Sequence, residues 1–273
     1  MPLGYDDDLF WCGGQSHDDN PFTLGLVGRM VPEKGVLTAV RALAEVRVHR
    51  QARLLLVGDG PEIGPARELA AYLGIADDVE IYPWLSTGQL AECYRRMHVL
   101  LLPSASTATW VEQFGRVIIE AQASGVVVAG YASGAISEVS ADAGWLVQER
   151  DAMGLFSAVV SLASNAEAWS GFRSLGLARS RKAVWAVVAE AQSAFYREIA
   201  SGTDLSATAR RSGAAELRSD ARAEFGPPAR TLISARPVAL PVVRDSRHLD
   251  KGIGVVADRL SVWKDRLSSR GTF

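Results

Sequence analysis

The stretch E-Q-F-G-R-V-I-I-E-A-Q-A-S-G, residues 112–125, decides how this chain of 273 residues is expected to fold. Its second half has apolar residues at helical spacing, and it lies between two short apolar runs, Val99–Leu102 and Val126–Ala129. An apolar strand, a helix and a second apolar strand are the parts of a parallel βαβ unit. Glu112 in the loop and Glu120 in the helix are therefore predicted at the carboxyl edge of the strands, where such sheets bind ligands.

The same alternation of apolar runs and helical patterns extends from Phe22 to about Ala200. Nearly continuous apolar strands separated by helices indicate a parallel sheet that is covered on both faces. We therefore predict a doubly wound, Rossmann-like α/β domain over residues 21–201, closed by two or three helices at its C-terminal end. The predicted strands are 22–27, 53–57, 79–82, 99–102, 126–129 and 145–147, and the predicted helices are 36–49, 61–73, 86–97, 115–124, 152–164, 167–178 and 182–199.

Composition is that of an ordinary globular protein and gives no sign of a nucleic-acid partner. Hydrophobic residues make up 48% of the chain and charged residues 22%, and the formal net charge is −2. Two cysteines, Cys12 and Cys93, form neither a disulfide framework nor a metal cluster, so a reducing cytoplasm is the expected location. The four histidines lack the spacing of metal ligands, so no metal site is expected. Neither a secretory signal nor a membrane span is predicted.

Charge and composition change after Gly202. Residues 203–273 hold 13 Lys or Arg against 8 Asp or Glu, whereas residues 1–202 hold 16 against 23. We predict a basic, loosely ordered tail over 202–273, with a short helix at 252–267 where apolar periodicity returns. That helix is expected to dock on this domain or on a partner domain. Alternatively, it makes a weak peripheral contact with the inner face of the membrane.

The turn G-R-M-V-P-E-K-G, residues 28–35, is a second candidate for ligand binding. It joins the first predicted strand to the first predicted helix, so free backbone N–H groups and a positive helix end are expected beside it. Arg29 can hold a phosphate through two parallel hydrogen bonds, and Lys34 adds a point charge. Two solvated loop cations are the alternative. The turn matches neither the P-loop nor the dinucleotide-binding glycine pattern.

The carboxylates Glu112 and Glu120 admit two interpretations on chemical grounds alone. Near the start of the helix the dipole favours Glu112, and it also favours a phosphate bound beside the amides of Phe114, Gly115 and Arg116. Glu120 could then accept hydrogen bonds from a ribose diol. In the alternative, Glu112 merely caps the helix and Glu120 lies on a solvated face. Two cations that face two carboxylates suit a ligand that is anionic at one end and rich in hydroxyls at the other, such as a nucleotide sugar.

Residues 22–200 resemble the C-terminal half of the GT-B-fold retaining glycosyltransferases of glycosyltransferase family 4. The spacing E-x7-E from Glu112 to Glu120 is that family's hallmark, and the G-x5-K-G turn supports the resemblance independently. The matching stretches are F-T-L-G-L-V-G-R-M-V-P-E-K-G (22–35), L-L-V-G-D-G-P (55–61), the strand end at 79–84, L-L-P-S (101–104), the stretch 112–125, S-G-A-I-S-E-V (133–139), A-G-W-L-V (143–147) and the closing helix around 184–196.

The resemblance implies a role for each matching residue. Arg29 and Lys34, next to Gly28, would neutralise the donor's diphosphate, and Glu112 would contact the hydroxyls of the donor hexose. Arg29, Lys34 and Glu112 are therefore the implied catalytic residues, and the two cations would stabilise the negative charge that a leaving diphosphate gathers in the transition state. Glu120 would hold the nucleotide ribose. Further contacts would come from the amides of Phe114, Gly115 and Arg116, and from the backbone at Trp84 and Leu85, where the base would lie.

The resemblance also implies what the chain does and what it needs. It would transfer a hexose from a nucleoside-diphosphate sugar to an acceptor, with retention of configuration and with no metal or other cofactor. Residues 1–20 resemble the linker that follows the family's N-terminal acceptor domain, so that domain is expected in cis or as a separate chain. This chain would be the donor-binding half, inactive without it. A non-catalytic nucleotide-sugar-binding or regulatory subunit that acts with a partner chain is the alternative.

Four positions depart from the family's pattern. His98 stands where Asp is common, Pro83 replaces a usual Gly, Ser137 a usual Pro and Gln122 a usual Met. Pro83 and the turn at 133–139 border the expected nucleotide site, so the base is left open.

Overall fold

A computed structural model describes residues 4–113 and 115–200 of the chain. Its sheet consists of β1 (Phe22–Val27), β2 (Ala52–Val57), β3 (Val79–Tyr82), β4 (Val99–Leu102), β5 (Val127–Tyr131) and β6 (Gly144–Val147). The helices are α1 (Val36–Arg47), α2 (Ile63–Tyr72), α3 (Thr87–Arg96), α4 (Arg116–Ala123), α5 (Ala135–Ser140), α6 (Ala152–Ser164), α7 (Ala166–Ser180) and α8 (Trp185–Ala200). Short 3-10 turns complete several of the connections.

All neighbouring strands in the sheet are parallel, in the order β3-β2-β1-β4-β5-β6. The chain builds outward from β1 to β3, returns to the middle of the sheet and builds in the other direction from β4 to β6. The prediction of a doubly wound parallel sheet is therefore confirmed. Because the winding reverses between β1 and β4, the connections that leave these two strands diverge and open a crevice at the carboxyl edge.

Apolar side chains of each strand alternate between the two faces of the sheet, because successive residues of a strand point in opposite directions. In β1, Phe22, Leu24 and Leu26 are buried with α1, α2 and α6, whereas Val27 belongs to the opposite cluster with α3, α4 and α5. Full burial of one such side chain stabilises the fold by about 1.5–3 kcal/mol. Because both faces of the sheet are covered by helices, side chains on both faces are buried, and nearly every residue of a strand is therefore apolar.

Predicted and observed elements differ by at most three residues at their ends, apart from α5, which the sequence did not predict. Its six residues do not complete two helical turns, so no apolar period can be recognised in them. Ser86 is the N-cap of α3, since its hydroxyl accepts from the Gln89 N–H in a capping box. Asp151 and Asn165 cap α6 and α7 with their side-chain oxygens, which accept from the Gly154 N–H and the Ala168 N–H.

The stretch that precedes β1 packs against the domain along most of its described length. The Tyr5 N–H donates to the Ala183 carbonyl at 2.9 Å, and the Tyr5 carbonyl accepts from the Trp185 N–H at 3.1 Å. Gln15 is buried. Its Nε2 donates to the backbone carbonyls of Tyr94, Met97 and Ser124. The segment before β1 is therefore attached to the domain through several points along its length, while the predicted domain limits stay a prediction.

The predicted tail at 202–273, including the segment 252–267, lies outside the described residues. Within the described part of the chain, no helix combines the length and the apolar character needed to cross a bilayer.

His98 lies at the amino edge of the sheet, directly before β4, and is almost fully buried. Its Nδ1 accepts the Thr23 N–H at 2.9 Å, so its Nε2 carries the proton and donates to the Ser16 carbonyl at 3.0 Å. The ring also stacks on Phe22, with 4.6 Å between ring centroids. An ionised Asp at this position could accept from the Thr23 N–H but could not donate to the Ser16 carbonyl.

Burial lowers the pKa of His98 because the charged imidazolium loses its solvation. The Ser16 carbonyl and the Asp19 carboxylate, 3.6 Å from Nε2, oppose that shift, whereas Arg50 and His17 reinforce it. The folded state therefore holds this ring neutral at pH values where the unfolded chain binds a proton.

We expect this ring to make the domain acid-sensitive. A lowered folded-state pKa gives stability that is complete above the unfolded value of about 6.5 and is lost as the pH falls below it. Between pH 7.5 and 5.5 the loss from this one group can reach about 1.4 kcal/mol. Denaturant unfolding at both pH values should therefore show a larger loss for the wild type than for His98→Asn, which cannot titrate. Equal losses of unfolding free energy in the two proteins would show that His98 is not the source of the acid sensitivity.

Candidate functional site

Two loops at the carboxyl edge of the sheet form the candidate site. One loop, residues 28–35, follows β1, and the other, residues 103–115, follows β4. These are the neighbouring strands between which the winding reverses, so both loops border the crevice. The topology thus brings together the two sequence motifs that were predicted to bind a ligand.

Gly35 and Pro103 hold the two loops in close contact. Gly35 has φ +67°, and a Cβ built on it would lie only 2.4 Å from the Pro103 carbonyl oxygen. The Ala105 N–H also donates to the Glu33 carbonyl at 2.9 Å. Glycine is therefore required at position 35 for two reasons: it tolerates the left-handed backbone, and it has no Cβ that would collide with Pro103.

Lys34 and Glu112 form an ion pair across the crevice. Their side chains are only 14% and 15% exposed, so the pair is shielded from most of the solvent. The Lys34 ammonium also lies 5.3 Å from the centroid of the Trp110 ring, on which it makes a cation–π contact. A Cβ built on Gly28 would lie 3.7 Å from the Lys34 Cε, so the lysine side chain passes close to the bare backbone there. The cation is thus enclosed by a carboxylate, an indole and a bare stretch of backbone.

The backbone at Glu112 is held by the start of α5. The Ala135 N–H donates to the Glu112 carbonyl at 2.9 Å. Gly134 has φ +50°, and a Cβ there would lie 2.4 Å from the same carbonyl oxygen. The unpredicted helix α5 therefore has a direct part in placing a predicted site residue.

Glu120 is buried in α4, with 4% of the residue exposed, and does not lie on a solvated helix face. Its carboxylate accepts from Arg116 Nε at 3.0 Å and from the Tyr94 hydroxyl at 3.4 Å. Burial raises the pKa of Glu120, and the Arg116 cation opposes that rise. The Arg116 side chain, 62% exposed, covers the carboxylate on its solvent side.

The start of α4 lies between these two carboxylates. Gly115 is the N-cap, in the left-handed conformation with φ +58°, and Arg116 is the first helical residue. The first amides of a helix lack intrahelical acceptors, so they are free to bind an anion. Phe114, the third residue predicted to offer an amide here, lies outside the described residues.

The remaining predicted residues lie along the same edge of the sheet. Arg29 is exposed and lines a cavity of about 440 Å³ together with loop residues 107–111 and Gln113. Trp84, 59% exposed, and the half-buried Leu85 follow β3, two strands away from β1. At about 4.8 Å per strand, that places them about 10 Å along the edge. The structure thus pairs Lys34 with Glu112 and places Lys34 close to Gly28, while the exposed Arg29 lines the neighbouring cavity.

Trp110 is the residue at this site that the sequence analysis missed. An indole two residues before Glu112, in the otherwise small and polar run T-A-T-W, was the available signal. The acidic and histidine residues of the described ranges offer no cluster of three that could hold a metal ion. A second open cavity, of about 500 Å³, lies at the opposite edge near His17 and Arg50. There Arg50 already donates to three backbone carbonyls.

A comparison with protein families and a comparison with curated proteins indicate the same family for this chain. The family described as "Glycosyl transferases group 1" matches residues 21–165. A D-inositol 3-phosphate glycosyltransferase from Segniliparus rotundus is 32% identical over 211 residues, which cover 72% of this chain and 46% of that protein. The chain thus spans about half the length of the curated relatives it matches.

Solved structures agree on the fold. A sucrose-phosphate synthase from Thermosynechococcus elongatus superposes with a TM-score of 0.60 at 26% identity, covering 74% of this chain and 53% of that one. The C-terminal domain of a glycosyl transferase group 1 family protein from Francisella tularensis gives a TM-score of 0.57 over 66% of this chain and 97% of that one. At 17% identity, the second likeness concerns the fold alone.

The close contact between the two loops predicts unequal effects of two glycine substitutions. Gly35 and Gly74 both have left-handed backbones, but a Cβ at Gly74 meets nothing within 4 Å. Gly74→Ala should lower the free energy of unfolding by about 1–2 kcal/mol through backbone strain alone. Gly35→Ala should lose about 1–3 kcal/mol more, because its methyl group overlaps Pro103. Denaturant unfolding measures both, and equal losses would show that the loops separate freely.

Proposed function

The chain belongs to the glycosyl transferases group 1 family, and from that membership we propose that it is the donor-binding half of a retaining hexosyltransferase. Its donor is a nucleoside-diphosphate sugar, and no metal is needed for its binding. The observation that carries the proposal is the shielded ion pair between Lys34 and Glu112 in the crevice between β1 and β4. A fixed cation and a fixed carboxylate in one crevice suit a ligand with phosphates beside hydroxyl groups.

Lys34 and Arg29 would act on the diphosphate. As the glycosidic bond breaks, the leaving nucleoside diphosphate gains negative charge, so cations beside it stabilise the transition state more than the ground state. In the free protein Glu112 neutralises Lys34. A diphosphate that takes over the ammonium group releases the Glu112 carboxylate, which can then accept hydrogen bonds from the hexose hydroxyls. Partner exchange of this kind couples binding of the two ends of the donor.

Glu120 would hold the nucleotide ribose after a similar exchange. Its Oε1 now accepts from Arg116, whose side chain is largely exposed and can turn into solvent. Ribose hydroxyls would replace that guanidinium, while Tyr94 keeps its contact with Oε2. The amides of Gly115 and Arg116 would face the phosphates at the start of α4. The base would lie against the backbone at Trp84 and Leu85.

The acceptor site is proposed to lie on a further domain, in cis or on a separate chain. Support comes from the curated relatives, of which this chain matches only about half. Transfer would need both halves, because the acceptor must reach the donor sugar across a shared cleft. A cytoplasmic location and the absence of a nucleic-acid partner remain predictions.

We expect the purified chain to bind one of UDP, GDP, ADP or dTDP in calorimetric titrations that contain EDTA. Lys34→Met keeps the aliphatic stem but loses the charge, and should weaken that binding about tenfold or more. Lys182→Met, which removes an exposed cation before α8, is the matched control and should bind as the wild type does. Equal affinities in all three proteins would show that Lys34 does not bind the diphosphate. Binding only in the presence of Mg²⁺ would contradict the metal-independent donor site.

Glu120→Gln tests the ribose contact separately. The amide replaces a charged acceptor with a neutral one, so we expect about a tenfold loss for the nucleoside diphosphate and little change for inorganic pyrophosphate. The same titration with both ligands measures the two effects. Equal losses for both ligands would move Glu120 away from the ribose.

A further inference from the structure

We propose that Glu149 and Arg150, in the turn between β6 and α6, are positioning residues that hold the loop carrying Trp110 and Glu112 in place over Lys34. The sequence analysis assigned no role to either residue. The structural part of this inference stands on contacts alone, while its consequence for donor binding rests on the proposed function.

Glu149 binds Ser106 with both oxygens of its carboxylate. The Ser106 N–H donates to Oε1 at 2.7 Å, and the Ser106 hydroxyl lies 3.2 Å from Oε2. The same hydroxyl contacts the Ser133 hydroxyl at 2.9 Å, one residue before the glycine that packs on Glu112. Donation from the Ser106 amide is the main reason why the pKa of Glu149 is lowered. The carboxylate therefore stays charged, which strengthens its hold on the loop.

Arg150 binds the remaining polar group of Ser106. Its Nη2 donates to the Ser106 carbonyl at 2.7 Å. Arg150 also has φ +68°, a left-handed backbone conformation that residues other than glycine and asparagine rarely adopt. Every polar group of Ser106 thus has a partner in the 149–150 turn. Strained backbone at a residue whose side chain contacts a site loop points to a functional constraint rather than to a stabilising one.

The contact at Ser106 is transmitted to the ion pair by the loop itself. The Thr107 N–H donates to the Trp110 carbonyl at 2.8 Å, which closes the turn that places the indole over Lys34. Beyond the turn, Glu112 is held by the Ala135 N–H. The loop is therefore fixed at both ends, by the 149–150 turn on one side and by α5 on the other. If the contacts of Ser106 with the 149–150 turn were lost, the Trp110 indole could move away from Lys34.

Two variants and one control test the proposal in the full chain. Glu149→Ala removes the carboxylate, and Arg150→Gly removes the guanidinium while relieving the left-handed strain, so its melting temperature should not fall. Asp151→Ala is the control, since Asp151 caps α6 by accepting from Gly154 and makes no contact with Ser106. It should destabilise the domain without loosening the loop.

Hydrogen exchange by mass spectrometry is the primary measurement, because it needs no ligand. We expect both variants to speed amide exchange in residues 104–113 by about threefold or more, with the rest of the domain unchanged, as local opening predicts. The nucleoside diphosphate that binds the wild type should bind both variants about threefold to tenfold more weakly, and the control normally.

The outcomes separate this proposal from the proposed function. Unchanged exchange in 104–113, or the same acceleration in Asp151→Ala, would overturn the positioning role. Faster exchange with unchanged affinity would overturn its consequence for the donor. If the wild type binds no nucleoside diphosphate, the proposed function fails for this chain, while the exchange data still decide whether Glu149 and Arg150 position the loop.

Discussion

The close approach of the loops after β1 and β4 is the constraint on which the rest of the site depends. At Gly35 the two loops come so near that no Cβ fits between them. The reversal of winding opens a crevice in any sheet of this type, and here the close approach of the two loops lets Lys34 pair with Glu112 across it. A side chain on one loop can then neutralise a side chain on the other, and both charges can be kept out of bulk water.

An exchange of partners at this ion pair would select ligands by their whole structure. A ligand with phosphate alone would take Lys34 and leave Glu112 half-buried without a partner, which is unfavourable. A sugar alone would have to compete with the ammonium group for the carboxylate. Only a molecule that carries both groups at the right separation satisfies both residues. The same logic applies to Glu120, since Arg116 satisfies it until a hydroxyl pair replaces the guanidinium.

The sequence predicted the sheet well and the site incompletely, for physical reasons. Buried parallel strands such as β4 are short, uniformly apolar and bounded by turn residues, so local patterns are sufficient to find them. Topology alone then places the loops of Lys34 and Glu112 at one edge. The pairing of these two side chains, and the contact between Ser106 and Glu149, join residues far apart in the chain. No local pattern encodes such contacts, and Trp110 gave only a compositional signal.

His98 has a consequence for how pH profiles of this protein should be interpreted. The ring that acid would protonate lies at the amino edge, on the far side of the sheet from the crevice. Acidification would therefore break the hydrogen bond from the Thr23 N–H, because a protonated Nδ1 can no longer accept it, and would weaken the contact between His98 and β1. A decline in turnover as the pH falls could then report a population of partly opened molecules, and the apparent titration would be that of the scaffold rather than of a general acid or base.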